Sequence, residues 1–135
     1  ILYLNGAGAQ AINGTQVLRT NDLVTNNASG ITSNNNLSVS GAHTYTAGLI
    51  TTSATPNYMI YEAGSSYSGS NDARHVNRWV KKAGNTNFTF PVGDAVYQRE
   101  VAMSNFSVTG EFDVRYNGGP TPNHTSLNNG ILNTK

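Results

Sequence analysis

Apolar residues in the first half of the chain occur in short clusters, and turn-forming residues separate them. The first cluster is Ile1-Leu2-Tyr3-Leu4, the last is Tyr58-Met59-Ile60-Tyr61, and clusters recur every six to eight residues in between. The intervening segments, such as 26–30 and 33–36, are rich in Asn, Ser and Gly. Because this spacing is too short for helices joined by loops, it predicts strands of about three to five residues separated by tight corners.

Two all-β architectures have this pattern of short strands and tight corners. A meander or sandwich needs longer strands with strict alternation, whereas a parallel solenoid stacks short strands in rungs of about 20 residues or more. Segments 23–30, 37–48 and 49–61 fit successive sides of such rungs, which favours the solenoid. Asn side chains at the corners either bond to their equivalents on the next rung or simply adopt turn conformations.

The second half of the chain has conventional strand signals. Segment 79–82 is a strand candidate before a Gly-Asn turn, and Phe88 and Phe90 alternate with polar residues. Apolar and polar residues also alternate over 106–109 and 112–116, on either side of Gly110. This last pair predicts an antiparallel hairpin.

The sequence therefore predicts an all-β chain of two parts. Short parallel β-solenoid (β-helix) rungs form residues 1–61, and an antiparallel β-sandwich-like module forms residues 62–135. Residues 118–123 are rich in Gly and Pro and cannot continue a strand, and the polar tail 125–135 is predicted to be a loop. The second module is thus expected to be truncated at its C-terminus.

Composition and charge narrow the functions. Asn, Thr, Gly and Ser number 19, 15, 14 and 12 of 135 residues, and only 11% of residues are charged, against about 25% in a typical globular protein. A net charge of +1 without a basic run argues against nucleic-acid binding. No apolar run approaches the roughly 20 residues of a membrane helix, and the chain has no Cys. The Ile1-Leu2 start indicates a processed or excised piece.

Several segments resemble a known family. Segment 23–31, Leu-Val-Thr-Asn-Asn-Ala-Ser-Gly-Ile, resembles a recurrent rung in large secreted surface proteins of Bacteroidota, and segments 37–41 and 48–52 continue that pattern. Segments 76–82 and 84–93 are similar to the region that follows those rungs, and 84–93 is the most specific part.

This resemblance covers roughly residues 20–116 and implies an extracellular protein. Members of the family are typically exported by the type IX system and displayed as adhesins or surface scaffolds, and the resemblance brings no catalytic residues. His43 and Tyr45 stand where such rungs more often carry small or aliphatic residues, and Arg78-Trp79 replaces a common Gly-Pro. These departures create a local contact surface or alter packing.

Candidate chemistry is sparse. His43, His75 and His124 lie in separate neighbourhoods without metal-ligand spacing, so we expect no metal site and no cofactor. The carboxylates lack the pairing that polysaccharide cleavage needs, and we expect no catalytic residue and no enzyme activity. Asp72 and Asp94 have the oxygen ligands that Ca²⁺ prefers, but turn capping explains them better.

Two sets of residues are candidate contact sites. Arg78, Trp79, Tyr97 and Tyr116 could form a platform for a carbohydrate or a partner, although Trp79 alternatively plugs the joint between the two modules. Ile1, Leu2, Tyr3 and Leu4 form an apolar first strand without a visible cap, and open solenoid edges recruit further strands. We expect that edge to pair with further repeats of the same polypeptide or with copies of itself, as in a filament.

The sequence thus predicts a non-catalytic structural or adhesive fragment of a bacterial surface protein. Its expected partners are further rungs and surface glycans, with no nucleic acid and no membrane insertion, and its expected location is extracellular, at the cell surface. The alternatives are a glycan-binding module or an accessory part of a polysaccharide-degrading enzyme.

Overall fold

The computed structural model describes residues 1–118, which form short strands joined by turns and loops, with no helix in that range. The prediction of an all-β fold is confirmed. The strands are β1 (Leu2–Leu4), β2 (Gln10–Ile12), β3 (Leu18–Thr20), β4 (Leu23–Asn26), β5 (Ile31–Ser33), β6 (Leu37–Val39), β7 (Ala42–Ala47), β8 (Ile50–Thr52), β9 (Met59–Tyr61), β10 (Ser66–Ser68), β11 (Val76–Asn77), β12 (Trp79–Gly84), β13 (Phe88–Phe90), β14 (Val92–Gly93), β15 (Val101–Met103) and β16 (Gly110–Arg115).

Three sheets form the sides of a solenoid. Face A has the order β1-β4-β7-β10, face B β2-β5-β8-β11-β14 reading from the first rung, and face C β3-β6-β9-β12-β16. Consecutive strands visit faces A, B and C in turn, and neighbours within a face run parallel, apart from β12 and β16. Each circuit is one rung, so the chain makes about four turns, and the predicted parallel solenoid is confirmed.

The register of the ladders places one side chain of every rung above its equivalent in the next. On face B, Ile31 lies opposite Ile50, which lies opposite Val76. On face C, Leu37 lies opposite Met59. All of these side chains are buried. Since alternate residues of a strand point to opposite sides of its sheet, stacked inward positions form the continuous apolar core.

The boundary predicted at residue 61 lies inside the solenoid. Strands β10, β11 and β12 extend faces A, B and C in parallel register, and β14 adds one more strand to face B. The change in composition at residue 61 marks the last rungs of the stack, where aromatic residues and a buried Lys82 close the core. It does not mark a change of architecture.

A small antiparallel part covers this end. Strand β16 pairs with β12, and β13 pairs with β15. The hairpin predicted from 106–109 and 112–116 is wrong, because 106–109 forms no strand and β16 uses β12 as its partner instead. Phe112 and Val114 lie opposite Lys82 and Val80 and pack on the core. The free edge of β12 is thereby paired, which satisfies its backbone groups.

Asn residues do connect rungs at the corners. The Asn27 side chain, which is fully buried, donates to the carbonyl oxygen of Gly8 (2.8 Å) and to Oε1 of Gln10 (2.9 Å), both one rung earlier. Asn34 donates to Oδ1 of Asn13 across one rung at 2.9 Å. The Asn–Asn contact between rungs is thus confirmed at one position, while Asn27 binds backbone and Gln instead.

His124 and the predicted loop 125–135 lie outside the described residues. Among residues 1–118 there is no helix with the length and hydropathy that a membrane crossing needs.

Candidate functional site

Trp79 lies on the outer side of face C, at the start of β12. Its neighbour Val80 is the residue that points into the core, so Trp79 is not an interior plug. Its ring meets Tyr58 edge-on, with centroids 5.8 Å apart, and the Arg115 guanidinium lies 5.4 Å from the ring centroid. Its indole N–H is buried and has no hydrogen-bond partner among residues 1–118. The Trp face is therefore partly covered by a cation–π contact.

The other predicted platform residues gather around a different cation. The Arg99 guanidinium lies 5.0 Å from the Tyr97 ring and 5.7 Å from the Tyr116 ring. Arg78 has a φ of +96°, and its backbone N–H donates to the Gly93 carbonyl at 3.3 Å. The three predicted aromatic residues therefore divide into Trp79 beside Arg115 and Tyr97 with Tyr116 beside Arg99, and Arg78 takes part in neither of these cation–π contacts.

A polar chain of side chains crosses the interior of the solenoid. The His43 ring contacts the Tyr61 hydroxyl through Nδ1 (2.8 Å) and Thr25 Oγ1 through Nε2 (3.2 Å), and the Tyr61 hydroxyl also contacts the Tyr45 hydroxyl (2.9 Å). Burial lowers the pKa of His43 to about 3 and raises the pKa values of both tyrosines above their ordinary value. Because these groups are fully enclosed, the chain stabilises the core and offers nothing to a ligand.

The two acidic residues considered as Ca²⁺ ligands accept hydrogen bonds from backbone N–H groups of the loops. Asp94 Oδ1 accepts the backbone N–H groups of Val96 and Tyr97, each at 2.7 Å, and these bonds lower the Asp94 pKa. Asp72 Oδ1 accepts the N–H of Gln98 at 2.9 Å. Within residues 1–118 no three His, Asp or Glu side chains are placed to hold a metal ion together. Asp94 therefore caps its own turn, whereas Asp72 links its turn to the backbone of residue 98, 26 positions away.

The first rung has an open edge, which we call the first-rung edge and define as strands β1, β2 and β3. The backbone N–H groups of Leu2, Gln10 and Leu18 donate to the second rung at 2.8, 3.1 and 2.9 Å. In a parallel ladder successive residues present their N–H and C=O groups to opposite sides. The intervening backbone groups, one on each face, therefore point away from the solenoid; they belong to Tyr3, Ala11 and Arg19.

Side chains at this edge match the predicted apolar strand in part. Ile1 and Tyr3 are 72% and 58% exposed, whereas Leu4 is buried and lines the core. Leu2 is half-buried and packs against the same core. Of the four predicted edge residues, Ile1 and Tyr3 thus form the accessible surface, and Leu2 and Leu4 hold the strand in place.

A cleft of about 500 Å³ opens on the outer side of face C. It is lined by Arg19, Thr20, Asn21, Ser38, Ser40 and Glu62. The Glu62 Oε1 atom accepts hydrogen bonds from Arg19 Nη1 (3.1 Å) and from Ser38 Oγ (2.5 Å). The Arg19 side chain remains 68% exposed and that of Glu62 31% exposed. A guanidinium and a carboxylate thus meet in a surface concavity rich in hydroxyl and amide groups.

The backbone of Glu62 is firmly anchored beneath this cleft. Its N–H donates to the Val39 carbonyl (3.0 Å), and its own carbonyl accepts from Ser65 Oγ and from Lys82 Nζ, each at 2.6 Å. Lys82 is almost completely buried, and burial lowers its pKa. The carboxylate is therefore held on a rigid base.

Sequence reasoning missed this cleft. Arg19 and Glu62 are 43 residues apart and meet because three face C strands are stacked. Arg19 lies opposite Ser38, which lies opposite Ile60, two residues before Glu62. Aligning the rungs at Leu18, Leu37 and Met59 would have brought the pair together, and that register was the missing signal.

Comparison with protein-family models, with curated proteins and with solved structures finds no match for this chain.

Proposed function

We propose that the chain is a non-catalytic structural and adhesive module of a bacterial surface protein, and that its first rung is a joint to a further solenoid rung. The observation that carries this proposal is the contrast between the two ends of the stack. Among residues 1–118, no strand pairs with the outward backbone groups of the first-rung edge on any of the three faces, and Ile1 and Tyr3 are exposed beside them. The last rung is covered on face C by the antiparallel strand β16.

The setting of this role rests on the resemblance of segments 23–31 and 84–93 to surface proteins of Bacteroidota that the type IX system exports. In such a protein the module spaces and connects other parts at the cell surface. A stacked rung suits this purpose, because every rung buries the edge of its neighbour and the chain extends without a change in cross-section.

The joint is tested on the isolated chain, in which a second copy can supply the further rung. We expect light scattering to show association that increases with protein concentration. A Tyr3→Pro, Ala11→Pro variant removes two outward N–H groups and leaves the ladders to β4 and β5 intact, because those ladders use the flanking residues. This variant should remain monomeric and keep the thermal stability of the parent.

Tyr97→Ala is the matched control, since it removes an exposed aromatic residue beside the last strand of face B. It should associate like the parent. If the parent chain has the mass of a monomer at every concentration, or if the proline variant associates equally well, the joint is rejected.

A further inference from the structure

We infer that the cleft on face C binds a neutral saccharide through a pair of neighbouring hydroxyl groups. This inference rests on the adhesive role proposed above and names its ligand class, but it does not depend on the joint. The cleft uses side chains that point outward from face C, whereas the joint uses backbone groups at the edge of the stack.

The donor and acceptor at the base of the cleft have the spacing that a diol requires. Arg19 Nη1 and Glu62 Oε1 are 3.1 Å apart, close to the separation of two neighbouring hydroxyl oxygens on a sugar ring. One hydroxyl can donate to the carboxylate while the next accepts from the guanidinium, and both bonds are strengthened by the charge of the protein group.

The Arg19 guanidinium and the Glu62 carboxylate can each form further hydrogen bonds. Both hydrogen bonds to the Glu62 carboxylate use Oε1, and within residues 1–118 its Oε2 accepts none. A guanidinium has five N–H donors, and the recorded bond of Arg19 uses only Nη1. The Ser40 hydroxyl and the Asn21 amide add further polar groups around the same concavity, whereas Ser38 is buried and donates to Glu62 Oε1.

The charge of the lining selects the class of ligand. One cation and one anion cancel, so the cleft offers no net attraction to a phosphate, a nucleic acid or a polyamine. A neutral polyhydroxylated ring gains from both charges at once. The lining contains no aromatic ring for stacking, and we therefore expect weak binding of about millimolar affinity, as suits a module that acts in multiple copies.

The test uses maltotriose and mannotriose as probes in a titration followed by amide NMR shifts of the intact chain. We expect saturable shifts at Asn21, Ser40 and Glu62, and none from the per-O-methylated forms of the same sugars, which cannot donate hydrogen bonds. Glu62→Gln should weaken binding about tenfold, because it replaces a charge-assisted acceptor while the backbone anchors remain.

Glu111→Gln is the matched control, because Glu111 lies on the same outer face, pairs with Lys81 at 2.9 Å and lies outside the cleft. It should leave the affinity unchanged. Arg19→Gln provides a second test of the cleft if Glu62→Gln fails to fold, and thermal melting checks each variant.

Several results would overturn the inference. They are the absence of saturable shifts, equal shifts with the methylated sugars, equal weakening by Glu111→Gln, and tighter binding of inorganic phosphate or spermine at the same amides. The titration is repeated on the Tyr3→Pro, Ala11→Pro variant. Association is scored on the parent chain, where binding without association refutes only the joint and association without binding refutes only the cleft. Unchanged binding by the monomeric proline variant shows that the cleft acts without the joint.

Discussion

His43 shows how a single polar residue is accommodated inside a solenoid core. A neutral imidazole has one donor and one acceptor, and its two partners, the hydroxyls of Tyr61 and Thr25, can each supply the complementary group. Protonation would leave both nitrogens as donors and place an unpaired charge in a closed interior. Burial accordingly holds the pKa of His43 at about 3.

This pKa predicts loss of stability in mild acid. The unfolded chain takes up a proton at His43 near pH 6.5, whereas the folded chain does not until about pH 3. The unfolded state therefore binds more protons in this window, and the free energy of unfolding falls as the pH falls, by up to about 1.4 kcal/mol per pH unit. Asp22 and Asp94 have lowered pKa values and add to the loss only in stronger acid.

Urea unfolding between pH 6.5 and 4.5 measures this effect. His43→Phe, which cannot titrate, should have a slope of stability against pH that is smaller by about 0.7 kcal/mol per unit near pH 6.5 and by up to about 1.4 near pH 5, even though its absolute stability is lower. Thr44→Ser, at the adjacent outward position, should keep the parent slope. Equal slopes for all three proteins would show that His43 does not control the acid response.

Gly48 illustrates a backbone requirement at a corner between faces A and B. Its φ is +78°, and an added Cβ would overlap the carbonyl oxygen of Asn27 on the preceding rung. Gly30 occupies the equivalent corner one rung earlier with a φ of +85°, yet a Cβ there would lie 3.7 Å from the nearest atom, the Leu49 carbonyl oxygen. The two glycines share the conformation and differ in the available space.

We therefore expect Gly48→Ala to destabilise the protein by about 3 kcal/mol or more, since strain and overlap add. Gly30→Ala should cost only about 1 kcal/mol, from its left-handed conformation alone. Denaturant unfolding of the two variants measures the difference. Equal losses would mean that the contact between rungs at Gly48 relaxes freely.

At the scale of the element, hydrogen bonds at the corners stabilise the stacked rungs together with the strand ladders. Strands of mostly three residues supply few ladder bonds each, so the rungs also depend on side chains that reach between them. Asn27 is the clearest case, because it is fully buried and joins Gly8 and Gln10 of the first rung to the N–H of Ser29 in its own corner. Unpaired polar groups left at such a site are costly.

Asn27→Ala should lower the free energy of unfolding by about 2–3 kcal/mol, because it removes three hydrogen bonds of a fully buried side chain. Asn26→Ala, at the exposed neighbouring position, should change it by less than about 0.5 kcal/mol. Thermal or urea unfolding gives both values. Similar effects of the two substitutions would show that the Asn27 side chain does not stabilise the corner.

The limits of prediction from sequence are also clearest at this scale. The spacing of apolar clusters was sufficient to predict short strands and parallel rungs, because each cluster such as Leu37–Val39 is one inward-facing strand. Pairing of β12 with β16 could not be read from local alternation, since the alternation in 106–109 looks equally suitable. The cleft required the register of three rungs, which degenerate repeats do not reveal.

At the scale of the whole molecule, the two ends of the solenoid differ in how completely the core is packed. On face C the inward column passes from Leu18, which is 36% exposed, to Leu37 and Met59, which are fully buried. At the far end Tyr61, Phe88 and neighbouring aromatic rings pack with centroids 5.1 to 5.6 Å apart and close the core. The apolar packing is therefore incomplete at the first rung, whereas aromatic rings fill the core at the other end.

This difference between the two ends predicts a gradient of amide hydrogen exchange along the solenoid axis. Rungs contact only their neighbours, so opening begins where a rung has one neighbour and little buried surface, and each further rung requires more of the stack to open. Amides of β1, β2 and β3 should exchange faster than those of β7, β8 and β9, and within the first rung the outward N–H groups of Tyr3, Ala11 and Arg19 should exchange fastest. A uniform exchange rate along the axis would contradict an open first rung.

Raising the protein concentration tests whether first-rung edges pair with one another. Such pairing would slow exchange of the Tyr3, Ala11 and Arg19 amides selectively, because only they gain a new acceptor. General stabilisation would instead slow exchange in all rungs together.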